Sequence, residues 1–159
     1  MQLRDYQQEA ISRIKWAMDL EGNDLLSLPT GSGKSIVIAE IANALNQDIL
    51  ILQPTKEILE QNKKKLMAYV DRKDIGVFSA SMGEKEIRKY TFATIGSVYK
   101  VPERFAHFRL VLLDECHLLN PKATGSMFGR FLAGMNNPKV VGLTATPYRI
   151  FPTYFGMVS

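Results

Sequence analysis

Two short stretches hold the residues whose types and spacing could do chemistry. The first is "LVLLDECHLL", Leu110 to Leu119, an apolar run that ends on Asp114, Glu115, Cys116 and His117 before turning apolar again. Taking an ionised carboxylate out of water costs several kcal/mol unless something pairs with it. The acidic pair therefore belongs at the open end of a strand, facing a cation. The second stretch is "LPTGSGKS", Leu28 to Ser35. Gly31 and Gly33 admit backbone conformations closed to other residues, so successive N–H groups can point inward at an anion. A helix beginning there adds its positive end to the same pocket. Lys34 supplies a full charge for the outer phosphates of a nucleotide, and the Ser35 hydroxyl can ligate magnesium.

The two stretches complete each other. A phosphate-bound Mg²⁺ is the cation that Asp114 requires, reached through water because Mg²⁺ dehydrates reluctantly. Glu115 is then free to orient and deprotonate an attacking water. The expected ligands are ATP and Mg²⁺. The strict phosphate-loop pattern has glycine where Leu28 stands, so the match is to a variant. The plainer alternative is a glycine-rich strand-to-helix turn with an incidental lysine. Cys116 has no Cys or His partner at metal-ligand spacing and reads as a small buried residue.

The elements that must position these groups follow from hydrophobic periodicity. Leu3, Tyr6, Ala10, Ile11, Ile14, Ala17 and Met18 repeat at steps of three and four, which predicts an opening amphipathic helix. "DLLSLPT" reads as a strand and "KSIVIAEIANAL" as a buried helix. Asp48 to Pro54 is a second strand, and Thr55 to about Val70 a second amphipathic helix. "IGVFSA" and "TFATI" are further strands with the charged "GEKEIRKY" between them. "RLVLLD" follows, and "KVVGLTA", Lys139 to Ala145, is expected to be the last strand. Strands alternating with helices predict an α/β domain with a mainly parallel central sheet and helices on both faces. In such sheets ligands gather beyond the carboxyl ends of the strands.

Bulk properties narrow the class. The 159 residues suit one domain, and 46% apolar content argues against disorder. A single cysteine excludes an internal disulfide and fits a reducing compartment. Charges interrupt every apolar run short of a membrane span, so a cytoplasmic protein without membrane contact is expected. The formal charge of +4 favours a polyanionic partner.

Taken in order, "LRDYQQEAI", "PTGSGKS", "QPTKEIL", "DECH" and "GLTATPYR" resemble the motifs of superfamily 2 DExH helicases and translocases. The resemblance covers nearly the whole chain and is to the first of their two RecA-like P-loop motor domains. The "LRxYQxEAI" start and "LTATPYR" end are most similar to RadD-type bacterial repair helicases, with related patterns in the XPB, UvrB and restriction-enzyme motor groups. The resemblance implies ATP hydrolysis coupled to movement on nucleic acid or to its unwinding, DNA being favoured over RNA. It places Arg4 and Gln7 at the adenine, although both equally suit the polar face of the first helix. Gly31, Ser32, Gly33, Lys34 and Ser35, with Thr30 in the same loop, would hold the phosphates and Mg²⁺. Asp114 would be the Mg²⁺ ligand and Glu115 the catalytic base. His117 would couple the nucleotide to the "TAT" segment, Thr144 to Thr146, or else be a satisfied structural histidine.

Thr55, Lys56 and Ser97 would face the nucleic acid backbone. Threonine or serine at a helix start is also simply a cap. The densest basic cluster, Lys63 to Lys65 with Arg72 and Lys73, reads first as a solvated helix face. The expected organisation is an ATP-binding domain over residues 1–150 and a truncated tail over 151–159. A second RecA-like domain, with the arginine that reaches the γ-phosphate, is absent from this sequence and would normally share the chain. A monomer of very slow ATP turnover is expected. Two other classes stay open: a nucleotide-gated binding module without motor activity, and a P-loop kinase acting on a small molecule.

Overall fold

A computed structural model of the chain describes Ser12 and residues 24–27, 34–114, 124–136, 138–144 and 156–158. Strand β1 (Asp24–Ser27) precedes helix α1 (Lys34–Leu45), then strand β2 (Ile49–Gln53) and helix α2 (Lys56–Leu66). Strands β3 (Ile75–Ser79), β4 (Glu84–Lys85) and β5 (Tyr90–Thr94) follow, and β5 runs into the single turn α3 (Ile95–Val98). Strand β6 (Leu110–Asp114), helix α4 (Thr124–Ala133), strand β7 (Lys139–Thr144) and strand β8 (Gly156–Val158) complete the described strands and α-helices. The strands form one sheet in the order β4-β3-β5-β2-β6-β7-β1-β8. Every pairing is parallel except the antiparallel edge β3–β4.

The alternation of side chains along each strand divides the core into two layers. Ile49, Ile51, Leu110, Leu112, Val141 and Leu143 pack with Val37, Ile38 and Ile41 of α1 and Leu59 and Leu66 of α2. Their neighbours Leu50, Leu52, Val111, Leu113 and Val140 pack on the other face with Phe105, Phe108, Phe128 and Phe131. All five positions of β2 and of β6 are buried. That explains why these strands read as unbroken apolar runs: both faces of a central parallel strand are covered. Phe105 anchors the second layer, with its ring centroid 5.1 Å from Phe78 and 5.8 Å from Phe131, both edge to face.

Local chemistry sets the helix ends. Asn46, at φ 45, ends α1 in the left-handed region that asparagine tolerates better than most residues. Thr55 caps α2, its hydroxyl accepting from the Ile58 N–H at 3.3 Å. Glu57 in the first turn and Lys63, Lys64 and Lys65 in the last complement the helix dipole.

The structure departs from the sequence reading in four places. The expected strand "TFATI" ends at Thr94, and Ile95 opens α3 instead. The charged segment after β3 contributes the two-residue edge strand β4. Helix α4 occupies a region to which no element was assigned. Strand β7 is not the last: residues 156–158, read as part of a tail, pair in parallel with β1 from Asp24↔Gly156 to Leu26↔Val158. The expected opening helix lies outside the described residues, apart from the helical Ser12.

Candidate nucleotide and nucleic-acid site

Because the strands are parallel, their carboxyl ends share one edge of the sheet, and that edge is polar. Ser27, Gln53, Ser79, Thr94, Asp114 and Thr144 each close a strand whose body is apolar. Register fixes their relation. Leu143 of β7 is level with Asp114 of β6 and with Leu26 of β1, and Thr144 is level with Ser27. Asp114 and the exit of β1 toward the glycine-rich turn thus flank β7. Two inter-strand spacings separate them, about 10 Å. Seven positions after Ser27, the backbone of Lys34 and Ser35 opens the 12-residue helix α1.

Asp114 is 2% exposed, so its carboxylate is held by protein and not by bulk water. Its Oδ2 accepts from Asn62 Nδ2 at 2.9 Å. The same Asn62 amide donates to Gln53 Oε1 at 3.2 Å. The geometry follows from strand periodicity. Gln53 continues the Ile49–Ile51 face of β2 and Asp114 the Leu110–Leu112 face of β6, so both side chains rise toward α2. Asn62 lies on the buried stripe of α2, between Leu59 and Leu66 at steps of three and four. A hydrogen bond to a charged group contributes about 1.5–3 kcal/mol and offsets part of the cost of burying the carboxylate.

Gln53 and Asn62 were not singled out from the sequence. A signal existed for Asn62, since a polar residue on an otherwise apolar helix stripe must find buried partners. Gln53 gave a weaker one, as the polar last residue of "ILILQ".

The remaining candidates fall into three groups. Arg4, Gln7, Thr30, Gly31, Ser32, Gly33, Glu115, Cys116, His117 and Thr146 lie outside the described residues. Lys34, Ser35 and Thr144 are described in their backbone only. Thr55 and Lys56 are exposed at the start of α2, just beyond the carboxyl end of β2. Thr55 is a cap, as the plainer reading had it, and its hydroxyl proton stays available to a phosphate oxygen. Ser97 is half-buried in α3, beyond the end of the neighbouring strand β5. Its Oγ accepts from the Ala80 N–H at 3.0 Å and lies 2.8 Å from Thr94 Oγ1. It therefore ties the ends of β3 and β5 together as well as lying on the polar edge.

The basic cluster is elsewhere. Lys63 to Lys65 close the last turn of α2, about 12–15 Å along the helix from Thr55 at 1.5 Å per residue. Lys63 and Arg72 line a cavity of about 460 Å³ with Glu84, Glu86 and Arg88. Arg88 pairs with Glu86 at 2.7 Å, so the cavity carries both signs of charge.

These residues fit a metal–triphosphate. Mg²⁺ takes oxygen ligands and few protein carboxylates, and here one buried carboxylate is held in place on the edge where a helix begins. Many α/β folds share a mainly parallel sheet with such an edge, and the family model and relatives place this one among RecA-like domains of the superfamily 2 DExH type. The family model described as "Type III restriction enzyme, res subunit" matches residues 1–149, and the chain belongs to that family.

A DNA 3'-5' translocase XPB2 of Sulfurisphaera tokodaii is 34% identical over 150 residues, covering 94% of this chain and 32% of the relative. A DNA 3'-5' helicase XPB of Mycobacterium tuberculosis is 33% identical over 159 residues, covering 93% and 27%. The chain thus spans about a third or less of the length of these relatives. Among solved structures, the UvsW helicase of bacteriophage T4 superposes with a TM-score of 0.78 at 24% identity, covering 100% of this chain and 60% of that one. The Hef helicase domain of Pyrococcus furiosus superposes at 0.70 and 24% identity, covering 91% and 33%.

Proposed function

We infer that the chain is the ATP-binding half of an ATP-dependent helicase or translocase that acts on nucleic acid, DNA in preference to RNA. One observation carries this reading. The register of β6, β7 and β1 puts Asp114 and Ser27, the last residue of β1, on one edge with a single strand between them. This supports a reading in which Asp114 and the segment that follows β1 would share one hydrated cation.

Lys34, Ser35 and Asp114 would hold Mg–ATP, which supplies the phosphoanhydride bond whose cleavage drives movement. Gly31, Ser32 and Gly33, with Thr30, would present backbone N–H groups to the phosphates. Arg4 and Gln7 would recognise the base. The Glu115 carboxylate would take the proton of the attacking water. Thr144 ends β7, the strand between the two halves, and with His117 and Thr146 would report the phosphate to a second RecA-like domain. The start of α2 and the turn α3 follow adjacent strands β2 and β5, so Thr55, Lys56 and Ser97 would contact successive backbone phosphates. The charge of +4 favours that association. The names of the relatives support DNA as the partner. We place the protein in the cytoplasm as a monomer.

Phosphate release with and without single-stranded DNA, duplex DNA and RNA tests the reading. Stimulation by polynucleotide, DNA above RNA, is expected. Transfer of phosphate to a small acceptor without such stimulation would overturn it.

A further inference from the structure

The contact at Asp114 includes a residue that phosphate chemistry does not itself require. Asn62 is a polar residue on the otherwise apolar stripe of α2, and it is only 7% exposed. Its partner Gln53 leaves Nε2 buried without an acceptor. A cluster chosen for packing alone would avoid an unsatisfied donor. Groups that break a local rule in this way mark positions held for function.

What Asn62 holds is one oxygen of the carboxylate assigned to Mg²⁺. A carboxylate turns broadly about its last torsion, and a donor 2.9 Å from one oxygen fixes that rotation. The same helix begins seven residues earlier at the capped, exposed Thr55. Helix α2 is thus a short rigid body with a candidate phosphate contact at its start and the carboxylate's donor farther along.

We propose that Asn62 is a positioning residue: from α2 it fixes the orientation of the Asp114 carboxylate, and so sets metal affinity at the nucleotide site according to where α2 lies. The inference rests on the functional reading above and adds to it a residue and a direction of coupling. Partners that orient metal ligands typically change metal affinity 10–100-fold when removed.

The test uses the full chain and Asn62→Leu, which keeps the volume of the site. ATP affinity is measured in EDTA, and Mg²⁺ is then titrated at saturating ATP. The expected result is a Mg²⁺ affinity lowered about tenfold with ATP binding in EDTA unchanged. Unchanged Mg²⁺ affinity, or loss of both affinities in parallel, would show a merely structural role and overturn the proposal. A measurement on the unaltered chain keeps the question open to decision if the variant fails to fold. Hydrogen exchange in residues 56–66 should slow when Mg²⁺ is added to the ATP-bound protein, and no change there would also overturn the proposal. If the unaltered chain shows no Mg²⁺-dependent nucleotide binding, the functional reading fails and the inference with it. Normal binding with an unaffected variant sinks the inference alone.

Discussion

Asn62 of helix α2 donates a 2.9 Å hydrogen bond to Asp114 at the end of β6, across 52 positions of sequence. The bond resolves a conflict visible in the sequence, where an apolar strand ends on a carboxylate. The carboxylate is buried, and the helix packed over it supplies a donor from a position that its hydrophobic pattern would assign to leucine. Stability and chemistry meet at this contact, and several outcomes depend on it.

Removing the donor should be costly only while the charge remains. Asn62→Leu should lower stability by about 2 kcal/mol, because a buried carboxylate loses a charge-assisted bond. In an Asp114→Asn background the same change should cost less than about 1 kcal/mol. Urea unfolding of the two single variants and the double variant measures the difference.

Thr55 serves as a cap and is proposed as a phosphate contact, and two substitutions separate these roles. Thr55→Ala should cost about 1 kcal/mol of stability, since Ile58 N–H loses its acceptor. Thr55→Asp keeps an acceptor there and should fold as well as the original chain. Its charge should nevertheless weaken DNA binding. Thermal melts with oligonucleotide titrations distinguish the two effects.

Lys56, exposed beside Thr55, should act through charge alone. Lys56→Ala should weaken binding to all DNA sequences similarly and reduce the slope of log affinity against log salt by about 1. Titrations at several salt concentrations give that slope.

Phe105 holds the core layer on the face of the sheet opposite α1 and α2. It is fully buried among Phe78, Phe108 and Phe131. Phe105→Ala should cost about 3–5 kcal/mol through the cavity it leaves. Calorimetry should show a melting temperature lower by roughly 10 °C, at 2–4 °C per kcal/mol for a domain of this size.

Much of this arrangement was legible in the sequence. The central strands announced themselves because burial on both faces demands unbroken Leu, Ile and Val, as in "ILILQ" and "LVLLD". Their alternation with "KSIVIAEIANAL" and the α2 pattern led directly to the parallel sheet. Asp114 was found because a carboxylate ending such a run is conspicuous.

The rest depends on distant partners. Two residues of β4 are too few to show a period, and their pairing is set by Phe78 and Ser79 across a turn at Gly83 with φ 68. Three residues of β8 form a strand only because β1 offers an edge. Helix α4 carries two glycines that weaken its local propensity, and its place is fixed by Phe128 and Phe131 packing on Phe105 and its neighbours. Asn62 could be suspected from its stripe, but its acceptors, 9 and 52 positions away, come only from the tertiary fold.

The central claim is that the β1-to-α1 turn and Asp114 serve one metal–triphosphate, and the effect of Mg²⁺ on ATP affinity tests it most directly. The original chain should bind ATP more tightly in Mg²⁺ than in EDTA by at least about tenfold, or 1.4 kcal/mol. Asp114→Asn should abolish that gain while leaving the affinity in EDTA intact, and Lys34→Ala should weaken binding under both conditions. An Asp114→Asn variant that keeps the whole Mg²⁺-dependent gain would contradict the account.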